Sequence, residues 1–154
     1  MITSVFAMGN APDRALPAKI AALWTVFLLG TLFHTQLALM PLFHGLSVAD
    51  SHTHEAVSLN AVMWFMLIFF TLPLLAIVGC VLMSSRLFRT LHFGLTLIYT
   101  GLNLLHLLLD MWIAVPGYQQ ALMGLLLLVG LLINWVSYRW MRLARSAVRL
   151  HPSG

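Results

Sequence analysis

Seven histidines stand in a chain with only four acidic residues and a single cysteine. Two of them, His92 and His106, belong to a polar row with Thr96, Tyr99, Asn103 and Asp110 inside the otherwise apolar stretch LHFGLTLIYTGLNLLHLLLD, residues 91–110. At about 100° per residue all six fall within about 40° of His92, so they share one helix face. Its imidazoles are candidate ligands for a cofactor such as haem, and the histidines with Tyr99, Asn103 and Asp110 are also the material of a proton or quinol path. A polar group facing hydrocarbon without a partner costs several kcal/mol, so this face is expected to turn inward.

The elements that must position these groups follow from composition. Of 154 residues, 61% are apolar and 8% charged, and the mean hydropathy is +0.95. Residues 20–49, 56–85, 90–109 and 111–138 carry no Asp, Glu, Lys or Arg. Each reaches the roughly 20 residues that cross about 30 Å of hydrocarbon. The reading is an all-α integral membrane protein: one transmembrane domain over residues 1–154, with helices at about 18–41, 54–83, 88–114 and 118–145. Short connections between helices 2, 3 and 4 favour an up-down-up-down bundle.

The eight basic residues settle its expected orientation. Arg14 and Lys19 precede helix 1, Arg86 and Arg89 lie between helices 2 and 3, and Arg139, Arg142, Arg145 and Arg149 end the chain. The other two loops hold Asp50, Glu55 and Asp110 and no Lys or Arg. The positive-inside bias places the N and C termini in the cytoplasm and the histidine-rich loop on the periplasmic or lumenal side of a bacterial plasma membrane or thylakoid-type membrane. The basic balance thus serves the lipid surface, and no nucleic-acid partner is implied. Other membrane subunits or a second copy of the chain are the expected protein partners. Residues 1–13 lack the pattern of a cleaved signal peptide, so helix 1 is expected to act as the insertion signal. Cys80, inside helix 2, reads as a small apolar side chain.

Two groups of side chains are candidates for a cofactor. His34 lies about seven residues below the outer end of helix 1 and His106 about eight below that of helix 3, which places both roughly 10 Å inside the outer boundary. Helices 1 and 3 are diagonal in an up-down-up-down bundle, about 14 Å apart. That span suits haem b between two imidazoles better than a bare ion, with Asn103 or Tyr99 supporting the ligands. His92 and His106 are fourteen residues apart on one face. This spacing resembles the haem-binding helices of cytochrome b in respiratory and photosynthetic bc complexes, which implies axial histidines paired with a second, diagonal helix. Helix 1 supplies His34 but no inner histidine, so the resemblance carries over to the outer level only. His92 is expected to be structural, bonded to Asn134.

The second group is in the outer loop: His44, Asp50, His52, His54 and Glu55 offer ligands of the kind copper, zinc or iron takes. Chelation by both His52 and His54 needs an extended segment before helix 2. The plain alternative is solvated histidines, with Asp50 or Ser51 as N-cap and Glu55 in the first turn. Gly30 and Ala38 around His34 form either a notch for a flat ligand or a helix contact. Asn60, Trp64 and Thr71 on helix 2, and Gln120, Gly124, Asn134 and Tyr138 on helix 4, make thinner polar faces.

No HExxH, cysteine pair, glycine-rich phosphate loop or Ser/His/Asp set appears. Three functions remain. The first is a membrane-embedded redox or metal-binding subunit that transfers electrons through a haem b or transition-metal site on the outer side. The second is an accessory or assembly subunit with no cofactor, and the third a metal or proton transporter.

Overall fold

A computed structural model describes residues 11–46 and 58–149. They form four helices, α1 Ala11–Phe43, α2 Leu59–Leu82, α3 Arg86–Trp112 and α4 Gly117–Arg149, with no strand among the described residues. Each contains a segment long and apolar enough to cross a membrane: Ala15–Phe43, Leu59–Leu82, Arg86–Trp112 and Gly117–Leu143. The all-helical architecture expected from composition is present. It answers the physics of the bilayer, where a helix satisfies its backbone groups internally.

The helix ends correct the sequence reading in two places. α1 begins at Ala11 rather than near Ala18. Pro12 falls in the first turn, where its missing N–H is not needed, and Pro17 frees only the carbonyl of residue 13, close to the helix start. The helix also continues through Pro41 before the chain turns at Gly45, whose φ of 71° favours glycine. There the His44 and Leu46 N–H groups both donate to the Pro41 carbonyl at 3.0 Å. α2 starts at Leu59, not near His54, and its N-cap is Ser58 rather than Asp50 or Ser51. The Ser58 hydroxyl accepts from the Ala61 N–H at 3.3 Å. Asp50, Ser51, His52, His54 and Glu55 lie outside the described residues.

α4 packs along both α3 and α1, and α1 also carries α2. Gly30 lies so close to Leu126, and Gly79 to the ring of Phe88, that a β-carbon at either would force the neighbour aside. Gly30 is therefore a helix contact. Trp24, 1% exposed, is the centre of the core, edge-on to Phe27, Tyr99 and His92 with ring centroids 5.7, 5.4 and 6.3 Å away. Leu126, Ile133 and Trp140 line it from α4.

α2 turns most of its side chains outward and buries Pro73, Ala76, Gly79 and Cys80. Asn60 and Trp64 are exposed, so the thin polar face expected there does not point into the bundle. Pro73 has no N–H to offer the Phe69 carbonyl four residues earlier. The Tyr99 hydroxyl of α3 donates to that carbonyl instead, at 2.6 Å. One inserted hydroxyl thus repairs a gap in the α2 ladder and ties α2 to α3.

The row on α3 faces inward: its buried residues are His92, Thr96, Tyr99, Asn103 and Asp110. The partner expected for His92 is corrected. Trp24 Nε1–H donates to His92 Nε2 at 3.0 Å, while Asn134 Nδ2–H donates to the Thr100 hydroxyl at 3.0 Å. The indole reaches His92 first because Trp24 fills the space between α1 and α3 at that level.

Candidate metal centre

The C-terminal end of the row is built differently. α3 carries His106 and Asp110 four residues apart, which places them on one face a turn from each other. α1 presents His34 to the same point. His106 Nε2 lies 3.4 Å from Asp110 Oδ1, and His34 Nε2 lies 3.7 Å from Asp110 Oδ2. One ligand atom from each of the three residues falls within 4.8 Å of the others. A tetrahedral ion with bonds of about 2.0–2.1 Å sets its ligand atoms about 3.3–3.4 Å apart. The group is thus near the spacing a single ion requires.

Its electrostatics point the same way. Asp110 is 6% exposed, and its Oδ2 is buried with no hydrogen-bond partner among the described residues, as is His34 Nδ1. A carboxylate taken out of water without compensation is strongly unfavourable. A cation between the three side chains would satisfy the bare oxygen and use both imidazoles as neutral donors. The C-terminal turn of α3 holds Asp110 in place: the Val115 N–H donates to the Asp110 carbonyl at 3.0 Å, and Ala114 takes a φ of 53° to allow it.

Haem fits this packing less well. The matched depths of His34 and His106 are seen, but the gap between them is not: the rings meet nearly at right angles with centroids 5.2 Å apart. The two imidazoles meet between α1 and α3. A haem iron held by both would need the rings parted and the porphyrin admitted between α1 and α3. As packed, the three residues suit an ion.

A cavity of about 460 Å³ adjoins the group. His34 and His106 are among its lining residues, with Phe65, Phe69 and Phe70 from α2 and Asn103 from α3. His106 is the open member of the set, its side chain 52% exposed.

Of the four residues expected around a cofactor, His34 and His106 come together, Asn103 lines the cavity, and Tyr99 is committed to Phe69. Among the loop residues proposed as metal ligands, His44 is exposed on the turn after α1. It is ten residues, or about 15 Å of helix rise, from His34. His52, His54, Glu55 and Asp50 are outside the described residues. Asp110 is the candidate ligand that the sequence reading left out of the site. The signal for it was available, since Asp110 sits at the angular centre of the row and four residues from His106.

Comparison of the chain with protein-family models, with curated proteins and with solved structures returns no match.

Proposed function

We propose that the protein binds one transition-metal ion through His34, His106 and Asp110 in the outer half of the membrane, as a small redox or metal-handling subunit. The observation that carries this reading is the juxtaposition of two imidazoles and a buried carboxylate whose Oδ2 has no hydrogen-bond partner among the described residues. Three protein ligands leave a coordination position open, the arrangement of sites that exchange a ligand or an electron rather than purely structural ones. Two histidines and one carboxylate suit iron(II), copper or zinc, and a bound iron or copper would supply one-electron chemistry at this point.

The reading includes an up-down-up-down path with both termini cytoplasmic. Its support is the placement of every Lys and Arg on one set of ends, with the Arg89 guanidinium of α3 donating to the Trp140 carbonyl of α4 at 3.2 Å. The metal then lies toward the periplasmic or lumenal face.

The test is metal analysis of the purified protein with visible spectra, oxidised and dithionite-reduced. About one iron, copper or zinc per chain is expected, without a Soret band, and Asp110→Asn removes it. A Soret band lost in His34→Ala would overturn the ion in favour of haem. A protein with neither metal nor haem, from cells supplied with both, would move the function to the cofactor-free accessory subunit.

A further inference from the structure

The cavity beside the proposed ion site has polar residues in its lining but little to offer a polar guest. Thr31 and Thr35 line it, yet each hydroxyl donates its proton to its own helix, to the Phe27 carbonyl at 2.9 Å and to the Thr31 carbonyl at 3.2 Å. The Asn103 amide is sealed, with nitrogen and oxygen both buried. Phenylalanine, leucine, methionine and valine make up the rest, together with the imidazoles of His34 and His106. A molecule that must be hydrogen-bonded is poorly served here, since each buried group left unpaired costs about 1–3 kcal/mol. A charged molecule is served worse.

The placement of the three candidate ligands says what the cavity serves. His34 and His106 line it and Asp110 does not, so an ion held by all three has the carboxylate behind it and the cavity before it. The coordination position that three protein ligands leave open then lies on the cavity side. Val62 and Leu105 of the lining are also exposed on the bundle surface, so the cavity communicates with the hydrocarbon. Small uncharged molecules without hydrogen-bonding groups favour that medium over water. Two histidines and one carboxylate with open positions are also the ligand set through which non-haem iron(II) takes up dioxygen. An alkyl chain would suit the walls, but it has no lone pair to give an ion.

We infer that iron(II) held by His34, His106 and Asp110 takes a diatomic gas of the dioxygen class at its open position, and that the gas reaches it from the bilayer through the cavity between α1, α2 and α3. The inference rests on the metal centre proposed above and names the ligand of that same site. A diatomic molecule coordinates through a lone pair and asks no hydrogen bond of the apolar walls. The same walls exclude dissolved anions from this route.

Nitric oxide, which gives non-haem iron(II) a distinctive high-spin EPR signal, is the probe. The full chain in nanodiscs is loaded with iron(II) without air, its iron is measured, and nitric oxide is added in stopped flow and in EPR samples. One nitrosyl signal per bound iron is expected. Val62→Trp and Leu105→Trp each place an indole in the cavity from an exposed position. Both should slow nitric oxide association by at least about 10-fold, because the route then requires a side chain to move. Iron affinity should stay within about 3-fold, as for other exposed substitutions. Iron bound in the expected amount with no nitrosyl signal would overturn the inference and leave the ion site standing. Association unchanged in both tryptophan variants would overturn the route through the cavity. A wild-type chain that holds no iron would overturn this inference at its premise, a result that the iron measurement tells apart from the other two.

Discussion

The two ends of the α3 row carry the same residue type and opposite designs. At the N-terminal end of α3 His92 is 2% exposed, receives a hydrogen bond from Trp24 and packs edge-on to Trp140 with ring centroids 5.8 Å apart. At the C-terminal end His106 is half-exposed and shares Asp110 with His34. Aromatic side chains fill the first end, whereas the second adjoins a cavity and keeps buried polar atoms with no hydrogen-bond partner among the described residues. A histidine sealed by indoles holds helices together. One that shares a buried carboxylate with a second imidazole is placed to take part in binding a cation.

The sharpest way to break this comparison is Trp24→Ala. Removal of a fully buried indole should destabilise the bundle by about 3–5 kcal/mol, read as a lowered unfolding midpoint in detergent, while the protein that remains folded keeps its metal. Equal loss of metal and fold would mean that the two ends are not separate units. Next in size is Asp110→Asn at the C-terminal end. Supporting groups around metal ligands are worth 10–100-fold in affinity, and a direct ligand should exceed that, so a loss of at least about 100-fold is expected by metal titration. His92→Leu should leave metal affinity within a few-fold.

The Tyr99 hydroxyl sits between the two ends and gives a smaller effect. Tyr99→Phe should cost about 1–3 kcal/mol by leaving the Phe69 carbonyl unsatisfied. In a Pro73→Ala background, where residue 73 regains its N–H, the same change should cost much less. Additive effects in that double-mutant cycle would show that the hydroxyl does not replace the proline's missing donor. The smallest effect concerns the turn that fixes Asp110. Ala114 adopts a left-handed conformation at φ 53°, which disfavours a residue with a β-carbon by roughly 1–2 kcal/mol. Ala114→Gly should therefore raise stability by up to about 1 kcal/mol, seen as a slightly higher melting temperature, with metal affinity unchanged.

Much of the architecture was legible in the residues themselves. Four long uncharged stretches require four helices long enough to span a membrane, because hydrocarbon permits no other open backbone. The inward direction of the α3 row follows from the same rule, and the 100° periodicity assigns His92, Thr96, Tyr99, Asn103 and Asp110 to one buried face. Residue counts from the helix ends, at about 1.5 Å of rise each, also placed His34 and His106 at a common depth. Partners across helices were not legible. Periodicity says which way a side chain points along its own helix, but not what meets it from another. That Trp24 rather than Asn134 bonds to His92, that Gly30 receives Leu126, that Tyr99 completes the ladder broken by Pro73, and that two imidazoles touch with no gap between them are consequences of how closely four particular surfaces interlock. The sequence alone determined the solvent this chain lives in and the face it hides. Tertiary packing decided which of the hidden polar groups are satisfied by neighbours and which, Asp110 Oδ2 and the Asn103 amide among them, have no hydrogen-bond partner among the described residues.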